Sequence, residues 1–237
     1  MLTIADLQRL VTMANGYFPN AIIAGGAVRD IVCGVASQVR DIDIFVGTNN
    51  PEDYETEDSR FGRFCHWMAS QTHSDVEFAP SNPDYGRLLD LCKLVSRGAA
   101  IPVNFAPRPW HGYDFDLVAI DVDPASDVPN YDFGLSQMFV TCESLFMTRE
   151  AAQDLHDNSV TFLPLPFADA HSIIRSKKRL ARLRSKYPNR LFYNCDGLDC
   201  LPEGLTGVEL AAEQQTLDLV RRLSPSISRE VDFHVFP

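Results

Sequence analysis

The segment Ile22–Val46 constrains the fold of this chain more than any other. It begins with the apolar run Ile22–Ala24, turns at Gly25-Gly26, continues as a short amphipathic stretch and ends in the run Asp41–Val46. This order predicts strand, turn, helix and strand. Glycines let the backbone approach a ligand closely, and the helix that follows adds the positive end of its dipole. The segment therefore predicts a phosphate-binding turn beside a strand.

Two carboxylates lie on one face of the second predicted strand. The two-residue period of a strand puts Asp41 and Asp43 on one side and Ile42 and Ile44 on the other. Carboxylates this close repel each other unless a cation lies between them. Because Mg²⁺ prefers oxygen ligands and substrate phosphates, the pair predicts a magnesium site.

A second alternating run, 113–120, carries two more aspartates on one face, Asp114 and Asp116. A third carboxylate on a strand beside the first pair would complete a site for two metal ions. The spacing alone leaves the alternative open that both acids lie on a solvated strand face.

The motif GGAVRD at 25–30, followed by Gly34 and by RDID at 40–43, resembles the signature of the polymerase-beta-type nucleotidyltransferases. It is most similar to the branch of the tRNA CCA-adding enzymes and poly(A) polymerases. The resemblance implies an α+β fold, a mixed β-sheet flanked by helices with a small helical C-terminal appendage. It also implies a catalytic domain over 1–165, and a basic neck-like helix with a small C-terminal region over 166–237.

The activity implied by the resemblance is transfer of a nucleoside monophosphate from an NTP, ATP or CTP, to an acceptor hydroxyl, with release of pyrophosphate. Asp41, Asp43 and Asp116 would be catalytic and would hold two Mg²⁺ ions, with Asp114 as the alternative third carboxylate. Asp30 would orient an arginine. The residues implied to contact the nucleotide are Gly25, Gly26, Arg29, Arg40 and Asp132.

The segment 130–137 resembles the family's Arg-Arg-Asp-Phe-Thr-x-Asn stretch, which helps to hold the incoming nucleotide. Asp132 and Phe133 agree with that pattern, whereas Asn130 and Tyr131 stand where the family has two arginines. Replacing arginine removes fork-shaped donors that make bidentate contacts to phosphate or base. The preferred NTP is therefore left open by this segment.

A basic stretch stands out from an acidic chain of net charge −11. Residues 171–190 hold eight Lys or Arg and no acid, and the rest of the chain holds 13 basic and 32 acidic residues. Apolar residues at helical spacing predict an amphipathic helix over 170–187. Its basic arc would follow an RNA backbone, would contact the triphosphate from a helix that faces the site, or would be a solvated face. The residues predicted to contact RNA are Arg175, Lys178, Arg179, Arg182 and Lys186.

Three interpretations of the function stay open. The acceptor favoured by the resemblance and the basic helix is an RNA 3′ end, such as that of a tRNA. An adenylyltransferase that modifies a protein or a small molecule is the enzymatic alternative. The third is a protein without turnover, either a non-catalytic nucleotide- or RNA-binding module of the same fold or a partner-binding protein that uses the acidic surface.

The sequence also predicts the compartment. No apolar run approaches the roughly 18 residues of a membrane span, and no basic region precedes an apolar core at the N-terminus. The six cysteines form no C-x-x-C pair, although Cys195 and Cys200 could pair under oxidation. We therefore expect a reduced, cytoplasmic protein without a membrane partner.

Four further segments have a predicted local structure. Tyr85–Arg97 and Gly207–Leu223 have the spacing of amphipathic helices. Ile101–Phe105 is a short apolar run typical of a strand, and the polar, acidic stretch Gly47–Ser59 predicts a loop near the site.

Overall fold

The computed structural model describes residues 1–48, 50, 53–54, 58–79, 88–97, 108–165, 168–226 and 232–236, with backbone alone at 88–90. The chain forms two compact units. The first contains Met1–Val128, Met138–Phe146 and Val235–Pro237, and the second contains Pro129–Gln137 and Met147–His234. The functional division at residue 165 stays a prediction.

An eight-stranded mixed sheet is the main structural element. Its strands are β1 (Ile22–Ala24), β2 (Asp41–Gly47), β3 (Ser74–Ala79), β4 (Leu88–Ser96), β5 (Asp114–Ile120), β6 (Met138–Val140), β7 (Leu145–Thr148) and β10 (Phe233–Phe236). The strand order is β10-β7-β6-β1-β2-β5-β4-β3, and the division between the two units falls within β7 and β10. Strands β2 and β5 are parallel, whereas β1 pairs antiparallel with β2 and β6, and β4 with β3 and β5. This mixed sheet with flanking helices confirms the predicted α+β class.

The first unit contains the predicted strand, turn, helix and strand. Its helices are α1 (Ile4–Ala14), α2 (Gly26–Val32), α3 (Arg60–Thr72) and α4 (Pro124–Asp127). Helix α1 begins at a capping box between Thr3 and Asp6, and it packs against α2, β1 and β6. On β2, Ile42, Ile44 and Val46 are fully buried, so the opposite face of this strand carries its aspartates.

The second unit is mainly helical. Its elements are α5 (Arg149–His156), α6 (Ala170–Lys186), α7 (Asp196–Asp199), α8 (Gly207–Ala212), α9 (Gln214–Leu223) and a parallel pair of short strands, β8 (Ser159–Thr161) and β9 (Leu191–Tyr193). The basic helix α6 has the predicted extent and packs against α7 and α8. No helix in the described part of the chain is both long and apolar enough to cross a membrane.

Two predicted helices are wrong. The described part of Tyr85–Arg97 is strand β4, in which Cys92 and Leu94 are buried on one face while Lys93 and Val95 are exposed on the other. In the sequence Leu88, Leu91 and Val95 recur at i, i+3 and i+7, which is helical spacing, so the pattern favours a helix. The predicted helix Gly207–Leu223 is two helices, because Glu213 has non-helical dihedral angles of φ −107° and ψ 71°.

Two other predictions fall wholly or partly outside the described residues. These are the strand Ile101–Phe105 and much of the loop Gly47–Ser59.

Candidate functional site

The Gly25-Gly26 turn connects β1 to α2. Gly25 has φ 77° and ψ −124°, a backbone conformation that favours glycine, and its N–H donates to the Met138 carbonyl oxygen at 3.2 Å. Among the described residues, a Cβ atom at Gly26 would meet only the Arg29 Nη2 atom, at 3.9 Å. The backbone therefore requires the first glycine, while space inside the protein permits a side chain at the second.

The turn lies at the same end of the sheet as the β2 aspartates. Strand β1 pairs antiparallel with β2, with Ile23 opposite Ile44. The chain therefore leaves β1 beside the end of β2 that carries Asp41 and Asp43, which brings the predicted phosphate-binding turn close to the predicted metal ligands.

Arg29 and Asp30 form a buried ion pair within α2. The Arg29 Nε and Nη2 atoms lie 2.9 Å and 2.8 Å from the Asp30 Oδ1 atom, and the two residues are 8% and 2% exposed. Asp30 thus orients an arginine, as the sequence predicted. The pair also compensates much of the charge that Arg29 would offer to a nucleotide, whereas Arg40 is exposed.

Four carboxylates share one face of the sheet. In the parallel pair of β2 and β5, Asp41 stands beside Asp114 and Asp43 beside Asp116. Side chains of paired residues point to the same face. Asp41 and Asp114 are exposed, while Asp43 and Asp116 are partly buried. The fold thus brings together three predicted site residues, Asp41, Asp43 and Asp116, and the alternative Asp114 from segments some 70 residues apart.

Asp116 is the carboxyl whose titration this environment perturbs. Burial raises its pKa above the usual 3.8, and the negative charges of Asp41 and Asp114 act in the same direction. Lys93 opposes them through its positive charge. Asp116 is partly buried because Val118, the next residue on the same face of β5, packs with Leu91 and Phe45 on the neighbouring strands.

Lys93 is the site residue that sequence reasoning missed. It lies directly opposite Asp116 in the antiparallel pair of β4 and β5, and its Nζ atom is 3.6 Å from the Asp116 Oδ1 atom. The prediction of a helix over Tyr85–Arg97 hid this contact, because the position of Lys93 relative to the aspartates follows only from strand pairing.

These carboxylates fit a hard cation only in part. The oxygen donors of Asp41 and Asp43 are of the type that Mg²⁺ prefers. Asp116 pairs with Lys93, and the Asp114 Oδ1 atom accepts the Ser96 N–H at 2.9 Å. Among the described residues, no three acidic, histidine or cysteine side chains converge as a set of metal ligands. The site therefore consists of Asp41 and Asp43 on β2, beside the ion pair of Asp116 and Lys93.

Asp132 lies in the second unit, where its carboxylate is already engaged. The Oδ2 atom accepts a hydrogen bond from the Ser176 Oγ atom at 2.6 Å, and the Oδ1 atom pairs with Arg179. The next residue, Phe133, is buried against Phe162 with ring centroids 5.4 Å apart. Asp132 thus attaches the segment 129–137 to α6.

The predicted RNA contacts on α6 are of two kinds. Arg179 is held by Asp132, and the Arg175 Nη2 atom lies 3.4 Å from the Ser172 Oγ atom. Lys178 and Arg182 are exposed, while Lys186 is partly buried. Lys178 and Arg182 therefore offer more accessible positive charge than Arg179, which Asp132 holds.

Other basic residues of the stretch 171–190 are bound within the second unit. Arg184 makes a bidentate pair with Asp199, at 2.6 Å and 2.8 Å, which lowers the pKa of that carboxyl. The Arg190 Nη1 atom donates to the carbonyl oxygens of Asp154 and Ser159. These residues stabilise the unit and contribute less to a free basic surface.

Comparison with known proteins places the fold. No protein-family model and no curated protein matches the chain. Among solved structures, the Thermotoga maritima CCA-adding enzyme complexed with tRNA aligns with a TM-score of 0.52 at 16% identity, covering 92% of this chain and 45% of that one. A CCA-adding enzyme with ATP aligns with a TM-score of 0.51 at 14% identity, covering 91% of this chain and 46% of that one. The chain shares the fold of part of a CCA-adding enzyme.

The chain spans less than half the length of these two CCA-adding enzymes. At such identities the similarity concerns the fold alone. It confirms the family resemblance at that level and agrees with the mixed sheet on which the carboxylates stand.

Proposed function

We propose that this protein is a nucleotidyltransferase, which moves a nucleoside monophosphate from an NTP to an acceptor hydroxyl. The observation that carries the proposal is the pairing of β2 with β5, which aligns Asp41 with Asp114 and Asp43 with Asp116 on one sheet face. The fold of a CCA-adding enzyme and the nearby Gly25-Gly26 turn support it.

In the proposed reaction the acceptor oxygen forms a bond to the α-phosphorus of the NTP. The bond from that phosphorus to the β-phosphate oxygen breaks, pyrophosphate leaves, and the hydroxyl proton passes to solvent. Mg²⁺ bound by Asp41 and Asp43 would supply positive charge for the phosphates. Asp116, the third ligand that the resemblance implies, stands on the neighbouring strand, where it pairs with Lys93. Gly25 and Gly26 would face the triphosphate.

The three side chains proposed to contact the nucleotide, Arg40, Arg29 and Asp132, differ in the structural observations that support them. Arg40 is exposed and carries a charge suited to phosphate. Arg29 would mainly support the Gly25-Gly26 turn and would contact the nucleotide less directly, because its guanidinium is paired with Asp30. Asp132 remains a proposed contact from the resemblance, and its binding to Ser176 and Arg179 favours a positioning role.

We propose an RNA 3′ end, such as that of a tRNA, as the acceptor. The solved CCA-adding enzyme with tRNA supports this choice by its fold. The exposed Lys178 and Arg182 on α6 support it by their charge, because cationic side chains bind the phosphates of an RNA backbone.

The experiment is transfer of label from each of the four α-³²P NTPs, with Mg²⁺, into total RNA and total protein of a cell lysate. We expect label in a tRNA-sized band, and its loss in the double variant Asp41→Ala with Asp43→Ala. Asp75→Asn is the matched control, because Asp75 is an exposed acid on edge strand β3 of the same sheet.

Each other outcome has a defined meaning. Label in protein would identify the adenylyltransferase alternative. No label in RNA or protein, with a folded protein that still binds an NTP, would favour a small-molecule acceptor or the non-catalytic module, and release of pyrophosphate would separate these two. Unchanged transfer by the double variant would refute the assignment of these aspartates.

A further inference from the structure

We propose that Lys93 takes the place of one of the two metal ions, so that the site holds a single divalent cation on Asp41 and Asp43. This inference rests on the proposed function and changes the number of cations that the carboxylates bind. It departs from the two ions that the family resemblance implies.

The position of Lys93 follows from strand pairing. Across β3, β4, β5 and β2, the residues Glu77, Lys93, Asp116 and Asp43 stand side by side. Paired residues point to the same face of a sheet, so the ammonium group lies in a row of carboxylates. Its Nζ atom is 3.6 Å from the Asp116 Oδ1 atom.

A metal ion on Asp116 would compete with this ammonium. A Mg²⁺ ligand oxygen lies about 2 Å from the ion, so an ion on Asp116 would be within about 6 Å of the Lys93 nitrogen. Like charges at that separation repel, and partial burial of Asp116 weakens solvent screening. The ion pair therefore opposes a metal ion at this carboxylate.

Carboxylates flank Lys93 on both sides within the sheet. Its side chain is half exposed, but the residue on its other side in the sheet is Glu77, another carboxylate. Movement away from Asp116 keeps the ammonium in negative surroundings. The third carboxylate is thus neutralised by a charge that belongs to the chain itself.

Asp41 and Asp43 are better placed for the cation. Both lie on β2, which β5 separates from Lys93. Asp114, the alternative third ligand, is directed to the backbone of β4 by its hydrogen bond from Ser96. The pair on β2 therefore provides the carboxylates for one ion, and substrate phosphates would complete its coordination.

The test is the number of Mn²⁺ ions bound per chain, with Mn²⁺ alone as the probe, measured by electron paramagnetic resonance of free Mn²⁺ and by calorimetric titration. We expect one ion for the wild type, two for Lys93→Met and one for Lys93→Arg. Arg97→Met is the matched control, because Arg97 is an exposed cation just beyond β4 that pairs with Asp75. It should bind one ion, and thermal unfolding checks that each variant is folded.

Several results would overturn the inference. They are two ions or none on the wild type, one ion on Lys93→Met, or a second ion on Arg97→Met. The labelled-NTP assay separates this failure from that of the proposed function: a wild type that binds two ions and transfers label keeps the function and loses the role of Lys93. A wild type that binds one ion but transfers no label keeps the role of Lys93 and loses the proposed function.

Discussion

At the scale of single residues, Gly25 and Gly26 are neighbours under different constraints. Gly25 has φ 77°, where a side chain strains the backbone. Gly26 is the first residue of α2, and among the described residues a Cβ atom there makes only an ordinary contact with Arg29. A sequence motif of two glycines therefore contains one residue required by the backbone and one that the fold itself does not require.

We expect Gly25→Ala to lower the free energy of unfolding by about 1–3 kcal/mol, because alanine pays the cost of an unfavourable backbone region. Gly26→Ala should change it by less than about 1 kcal/mol, because alanine favours a helix. Urea denaturation of both variants measures the difference. Equal losses would contradict the distinction between the two glycines.

Asp116 shows how a candidate active site affects stability. Burial and the neighbouring carboxylates raise its pKa, so the folded state binds this proton more tightly than the unfolded state does. The contribution of Asp116 to stability is present below the unfolded value of 3.8 and is lost as the pH rises through the folded pKa. At neutral pH the ionised carboxylate therefore destabilises the metal-free protein.

We expect Asp116→Asn to unfold at a higher urea concentration than the wild type at neutral pH in EDTA. This difference should shrink as the pH falls towards about 3.8. Asp199→Asn is the opposite control: Arg184 lowers the pKa of Asp199, so its stabilisation is present above the unfolded pKa and lost on acidification. A destabilised Asp116→Asn at neutral pH would refute the expected sign.

At the scale of elements, α6 combines structural and accessible charges on one helix. Arg179 and Arg184 hold Asp132 and Asp199, so reversing their charge would disturb the second unit as well as any RNA contact. Lys178 and Arg182 are exposed. Substitutions at these two residues therefore test RNA binding with the least disturbance of folding.

We expect Lys178→Glu with Arg182→Glu to weaken RNA binding by about tenfold or more at low salt. The slope of log K against log salt should fall by about one to two units, because phosphate contacts that release counterions are lost. Arg221→Glu with Arg222→Glu on α9 makes the same change of charge elsewhere and is the control. Filter binding across a salt series measures both, and identical slopes for the two variants would leave α6 a solvated face.

Strand β4 illustrates an element that local pattern misidentified. Its residues alternate between buried and exposed from Cys92 to Val95, but apolar side chains at helical spacing obscured that alternation in the sequence. The misassignment concealed Lys93, whose partner Asp116 is 23 residues away in the sequence. Errors in assigning an element thus become errors in describing a site.

At the scale of the whole molecule, the net charge of −11 is distributed unevenly. Six acidic residues of the first unit share one sheet face, on β2, β3 and β5: Asp41, Asp43, Asp75, Glu77, Asp114 and Asp116. In the second unit, several basic residues of the stretch 171–190 are bound by its own carboxylates and carbonyl oxygens. A basic stretch in the sequence is therefore only partly a basic surface.

The α+β class followed from the family resemblance of the motifs. The sequence by itself determined the strand-turn-helix-strand segment and the sharing of one face by Asp41 and Asp43. These features depend on periods of two or 3.6 residues, which act within a single element. Only the tertiary structure decided that Lys93 lies beside Asp116 and that Arg179 and Ser176 hold Asp132. Such contacts join residues far apart in the chain, and the strand or helix that becomes a neighbour is chosen by the packing of the whole unit.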